Sequence, residues 1–378
     1  MTQRTTTAGP PSVDGTAREP AALDHYIASN GQHLPVRAVA GPDAGGRGRG
    51  NRAAWLGAAV VVLAVVCAAS LAIGARGMSL ETVWQALTQF NPEDGNHAVV
   101  HTRIPRTVLG LAAGAALGLA GAAMQGVSRN PLADPGIMGV NAGAALAVVA
   151  GIYLFGISGA SGYIWFAFVG AAAAAVVVYL IASMGRDGAT PVKLALAGAA
   201  LSAGLYSLMN VVLVSSQDTL DRFRFWQVGG IAGSDWSIVL TGLPFLLLGA
   251  VIVLGCGRTL NGLALGDDVA RGLGQNVALA RGVTALGVVL LCGSATAMVG
   301  PIGFVGLVVP HAVRFFTGPD YRWILPFSMV LAPALLLVSD VIGRVVLLPG
   351  EVPAGIMTAI VGAPVFVWLV RRGKGASL

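Results

Sequence analysis

From Ala53 onward the chain alternates between long apolar stretches and short breaks rich in glycine, proline or arginine. The apolar runs cover about 53–75, 107–127, 137–157, 163–184, 194–214, 237–256, 281–299, 303–317, 324–343 and 354–370. Most approach the ~20 residues that a helix needs to cross a bilayer core. Helix is the expected conformation throughout, because in hydrocarbon a helix satisfies its own backbone hydrogen bonds. The eighth run is short and joined to the seventh only by Gly300-Pro301-Ile302-Gly303, so hydropathy alone admits nine spans as well as ten. Residues 1–51 are a different material, rich in Gly, Pro, Thr, Arg and Asp without apolar periodicity, and predict a disordered tail. The tail is too long for the charged region of a signal peptide, and the next run shows no convincing cleavage site. The expected organisation is therefore a tail over 1–51 and an all-α polytopic membrane domain over 52–378.

Composition agrees with that pattern. Of 378 residues, 55% are hydrophobic and 11% charged, against roughly 25% charged in soluble domains. The net charge of +6 would suggest nucleic acid in a soluble protein, but here the basic residues sit at the ends of apolar runs, where they encode topology. With the N-terminus inside, Arg129, Arg186, Lys193, Arg258, Arg271, Arg281, Arg314, Arg322 and the Arg371–Lys374 cluster fall on the cytoplasmic side. Arg76, Arg103, Arg106, Arg222, Arg224 and Arg344 fall outside. This bias favours both termini in the cytoplasm and ten spans, since nine would export the Arg371–Lys374 cluster. The outer arginines either snorkel to lipid phosphates or form a basic rim for an acidic partner. Cys67, Cys256 and Cys292 lie in or beside apolar runs without metal spacing and read as small buried hydrophobes.

Several chemistries are missing. There is no GxxxxGK[ST] phosphate loop, so ATP hydrolysis by this chain is not expected, and no HExxH or GxSxG motif. His311, beside Pro310, reads more readily as structural than as a proton carrier. Deep carboxylates are also absent, Asp340 being near a span end, which disfavours an ion-coupled secondary transporter. Gly110, Gly114 and Gly118 make a smooth face for close helix approach and place the second span inside the bundle. Two prolines bracket the polar loop Arg129–Val140, predicting a rigid turn. The loop at about 258–280 is amphipathic: Leu263, Val269 and Leu273 can gather while Asp267, Asp268 and Arg271 point away. That pattern suits docking into a partner's groove or lying on lipid. Asp340 and Arg344 are placed for an ion pair on one helix face.

Arg103-Ile-Pro-Arg106, Asn130-Pro-Leu-Ala-Asp-Pro135, Leu265-Gly-Asp-Asp-Val-Ala-Arg-Gly-Leu-Gly274, Gly300–His311 and Gly362-Ala-Pro-Val-Phe366 together resemble the FecCD-type permeases of ABC importers for iron–siderophores, haem and vitamin B12. The resemblance covers essentially 53–372 and excludes the tail. It implies a type II importer permease of ten helices per subunit, in a bacterial cytoplasmic membrane. It further implies a second permease subunit, identical or related, and two copies of a cytoplasmic ATPase that uses ATP and Mg. An extracytoplasmic binding protein would deliver the cargo, with no cofactor or metal held by the chain itself. Arg103, Arg106 and Arg344 match the family's docking arginines for glutamates of the binding protein. Gly266, Asp267, Ala270, Arg271, Leu273 and Gly274 match coupling positions in the ATPase groove. Asn130 and Leu132, with Thr190, Pro191 and Val192, match the cytoplasmic gate, although Pro191 departs from the small hydroxyl residues expected there. A ferric siderophore is the expected cargo, with haem or cobalamin as alternatives. Charge reversal at Arg103 or Arg344 is then expected to weaken docking while leaving the fold intact.

Overall fold

The computed structural model describes residues 49–184 and 190–373. The predicted tail up to residue 48, Arg186 and Lys374 lie outside the described residues. Among the described residues, seven helices are long and apolar enough to cross a membrane, and three shorter apolar helices bring the set to ten. In chain order these are α1 (Arg49–Ala72), α3 (Gly95–Ser128), α4 (Val140–Phe155), α5 (Ala160–Ser183), α6 (Pro191–Ser215), α8 (Trp236–Gly255), α11 (Val277–Val299), α12 (Val305–Thr317), α13 (Tyr321–Val346) and α14 (Ala354–Gly373). Each corresponds to one apolar run of the sequence, including the short eighth. Four shorter helices lie between them: α2 (Leu80–Thr88), α7 (Gln217–Val228), α9 (Gly257–Ala264) and α10 (Asp267–Gly272), with a 3-10 turn at Pro135–Met138.

The core is built around α3, α11 and α13. The most apolar window of α3 is 78% buried, against 17% for those of α1 and α6. Small residues make this possible. A Cβ on Gly114 would stand 2.5 Å from Cα of Pro333, one on Gly118 would stand 2.5 Å from the Ser328 carbonyl oxygen, and one on Gly121 would stand 1.9 Å from that of Gly306. The glycine face of α3 therefore seats α13, and one turn further on it seats α12. Gly143 and Gly170 bring α4 and α5 together in the same way.

Helix α3 starts about a dozen residues before its apolar run. Asp94 caps it, accepting a hydrogen bond from the Asn96 N–H at 2.8 Å. The added turns are polar and carry His97, Arg103 and Arg106. Helix α2 packs on them through Val83 and Ala86, which form a small cluster with Ala72 and Val100. At its other end α3 stops at Arg129, whose backbone is left-handed at φ 50°.

Candidate functional site

The two ends of the bundle carry different chemistry. At one end, helix α1 finishes without a basic residue in its last turn, so its final carbonyls need donors from elsewhere. Arg103 of α3 donates through Nη1 to the carbonyls of Leu71 (2.8 Å) and Ala72 (3.1 Å), and through Nη2 to that of Arg76 (2.7 Å). Arg344 of α13 donates through Nη1 to the carbonyls of Ser70 (2.6 Å) and Ile73 (3.2 Å), and through Nη2 to the Ser70 hydroxyl. Two guanidiniums from other helices thus close the end of α1.

A carboxylate holds this cluster together. Asp340 accepts from Arg344 Nε at 2.9 Å and from Arg106 at 2.7 and 3.1 Å. Its side chain is 1% exposed and that of Arg344 2%. Asp340 is therefore a buried acid within α13, bracketed by two guanidiniums. Arg106 reaches on to Glu351 at 2.8 Å, whose side chain is 35% exposed. Arg106 and Glu351 stand between two clefts. One, of about 460 Å³, is bordered by Gly74, Arg76, Thr102 and Ser234. The other, of about 380 Å³, is bordered by Arg222, Trp226, Ser234 and Pro353.

Of the arginines expected as docking residues, Arg103 and Arg344 are largely buried and engaged in structure while bordering the larger cleft, and Arg106 borders both clefts. Arg222 and Arg224 on α7 pair with Asp218 and Asp221, each at 3.1 Å. Arg76 is exposed and, among the described residues, its guanidinium forms no ion pair. Glu351, isolated between Gly350 and Pro353 in sequence, gave no periodic signal and was missed; so was Ser70.

At the opposite end lie the loop after α3, the start of α6, and α9–α10. Asn130 Oδ1 accepts from the Leu132 N–H at 2.9 Å, the local turn that two flanking prolines favour, and Leu132 is half exposed. Thr190 caps α6, its hydroxyl accepting from the Lys193 N–H at 3.3 Å, with Pro191 at the first helical position. Proline is preferred there because its absent N–H would be unpaired anyway, which accounts for its departure from the expected residue type. Val192 is exposed.

Helix α9 is pinned by Asn261, which donates to Asp320 at 2.7 Å and accepts from the Tyr321 N–H at 2.8 Å. Gly266 then turns the chain at φ 109°, a conformation only glycine adopts freely, into α10. The expected faces of this segment are corrected here. Leu263 and Ala270 are fully buried, whereas Leu265, Val269 and Leu273 are exposed. Asp268 and Arg271 pair with each other on the surface at 2.9 Å. Asp267 turns inward, to Arg281 at 2.8 Å and Arg129 at 3.5 Å. Ala270 therefore lines the bundle side and not an external groove, because the helix has only six residues and must bury its single small apolar side chain against its neighbours. Gly266, Arg271, Leu273 and Gly274 remain on the accessible side. Arg129 and Arg281, which sequence reasoning used only as topology markers, are the residues it missed here.

Comparison with known proteins places this arrangement. The model of the FecCD transport family matches residues 62–372. The ferric enterobactin transport system permease protein FepD of Escherichia coli is 44% identical over 314 residues, which are 83% of this chain and 93% of that protein. The iron(3+)-hydroxamate import system permease protein FhuB of Bacillus subtilis is 40% identical over 325 residues, 84% of each. Among solved structures, an inward-facing metal-chelate type ABC transporter aligns with a TM-score of 0.74 at 29% identity, covering 85% of this chain and 99% of that one.

Proposed function

The chain belongs to the FecCD transport family, and from that premise we propose that it is the membrane-spanning permease of an ATP-driven importer for a ferric chelate, with a siderophore as cargo. The observation that carries this is the extent of the match: residues 62–372 run from the second half of α1 through α14, taking in the arginine end and the α9–α10 loop together.

The arrangement suits the task. A large hydrophilic chelate cannot partition into hydrocarbon and needs a path whose walls do not hold it. The arginine end, with Arg76 and Arg106 beside two clefts, is the surface offered to glutamates of an external binding protein. Arg103 and Arg344 support that surface by fixing α1. The exposed Leu265, Val269 and Leu273 of the opposite end offer apolar contacts to a partner. Two copies of a cytoplasmic ATPase, using ATP and Mg, would occupy it, this chain holding neither. A second permease subunit completes the path. Asn130, Leu132, Thr190, Pro191 and Val192 form its cytoplasmic gate, and both termini lie in the cytoplasm of a bacterial cell. Closure of the ATPase dimer moves α10, and the gate alternates with it.

The test is recovery of the tagged chain from native membranes in mild detergent, with identification of what accompanies it. An ATPase subunit and a second permease are expected, with a binding protein joining at low salt. Reproducible recovery of the folded chain alone would overturn the reading in favour of an ion-coupled transporter.

A further inference from the structure

We infer that Asp267 is the positioning residue that ties the docking helix α10 to the gate, through Arg129 on one side and Arg281 on the other. The inference rests on the importer reading above, and concerns which atoms carry the motion.

Asp267 is the first residue of α10, on the segment that presents Leu265, Val269 and Leu273 outward. Its carboxylate faces the bundle. Arg281 Nη2 lies 2.8 Å from Oδ1 and 3.1 Å from Oδ2, and the Arg281 side chain is only 7% exposed. Arg281 belongs to the first turns of α11, a core helix. Arg129 Nη2 reaches the same Oδ1 at 3.5 Å. Arg129 is the left-handed residue that ends α3 and opens the loop holding Asn130 and Leu132. That loop runs into the 3-10 turn Pro135–Met138, which packs on α6: a Cβ on Gly198 would stand 1.7 Å from the Ile137 carbonyl oxygen. Helix α6 itself begins at Thr190–Val192. One carboxylate thus contacts the roots of both a core helix and the gate loop, and close packing extends that link to the second gate segment.

The alternative is that Asp267 simply holds α10 in place. The two roles separate at Arg129. Its side chain is 38% exposed, so losing it strands no buried charge, and Asp267 keeps Arg281 as an anchor. Arg129→Gln should leave α10 and ATPase docking intact while cutting the leg to the gate.

The experiment uses the chain assembled with its ATPase subunits in lipid, with the three native cysteines replaced by alanine and Leu132→Cys as reporter. Labelling of that cysteine by a membrane-impermeant maleimide is measured with and without trapped ATP. In the parent, nucleotide should change the labelling rate about tenfold. In Arg129→Gln the change should fall below about twofold, with ATPase recovery and hydrolysis retained, and Arg129→Lys should restore it. Asp267→Asn should also abolish the nucleotide response, and adding Arg129→Gln should make it no worse. An undiminished response in Arg129→Gln, or loss of the ATPase from that variant, would overturn the inference. A parent that recovers no ATPase would instead overturn the importer reading on which it stands.

Discussion

At the scale of single residues, burial changes what the arginines predict. Arg344 and Asp340 are almost fully enclosed, and Arg344 also supplies donors to carbonyls at the end of α1. Removing Arg344 leaves Asp340 with Arg106 as its remaining partner and strips the Ser70 and Ile73 carbonyls of their donors, a loss of up to about 3–5 kcal/mol. Arg344→Ala should therefore lower the thermal midpoint and membrane yield before any docking can be measured, contrary to the expectation that the fold survives changes at this position. Arg76→Glu should behave in the opposite way. Its side chain is exposed, so the midpoint should move little, whereas binding-protein affinity should fall with a reduced salt dependence. Titration of the two variants against one binding protein at several ionic strengths, beside thermal unfolding, separates support from contact. Asp235 gives a pH signature. It caps α8, and the Ile238 N–H, then the Ser237 hydroxyl, hold its exposed carboxyl below its ordinary value of 3.8. A depressed folded-state pKa contributes stability above the unfolded value and loses it as pH falls through the folded one. The midpoint difference between wild type and Asp235→Ala should thus be full at neutral pH and close below about pH 4.

At the scale of elements, the sequence was most informative where one physical force decides. Hydropathy marked the apolar runs, the distribution of arginines and lysines chose ten spans over nine, and the spacing of Gly110, Gly114 and Gly118 identified the helix that lies inside. Gly114→Val should force α3 away from the Pro333 backbone, which cannot yield as a side-chain tip would, and overpacking of this kind costs about 1–3 kcal/mol. A fall in the thermal midpoint, without change in the variant's helical content before unfolding, is the expected result. What hydropathy could not see was polar helix. The first turns of α3, and all of α2 and α7, are too polar or too short to register, though Ser79 and Ser216 cap the latter two by accepting from the Thr82 and Thr219 N–H groups. Those capping serines were the legible signal. The candidate site was legible as positions but not as orientations. Arg103, Arg106 and Arg344 do gather at one end, yet which of them is buried depends on α1 carbonyls more than thirty residues away from Arg103 and far more from Arg344. Similarly, the inward turn of Asp267 depends on Arg129 and Arg281, contributed by other helices.

For the whole molecule, the two least buried spans pose different problems for a bilayer. Helices α1 and α6 are equally uncovered, but they expose different side chains. The outward face of α1 shows Trp55, Val61, Val62 and Val65, which lipid solvates well. That of α6 also shows Gly204, Ser207 and Asn210. An amide facing hydrocarbon is unfavourable, and polar residues in spans face helix partners or water-filled paths. Burial within the chain does not satisfy this face, so something outside the chain must. The proposed second subunit and the path between the two supply both solutions. In the assembled complex, Asn210→Cys should react with a water-soluble thiol reagent, or cross-link between permease subunits, at least about tenfold faster than Val62→Cys on α1. Equal and slow labelling at both positions would return α6 to the lipid and leave its polar face without a purpose. Fast labelling without cross-linking would assign Asn210 to the wall of the path. Cross-linking would assign it to the subunit seam. Either result would make α6 the helix that carries the proposed gate residues at its start and the boundary of the cargo's route along its length.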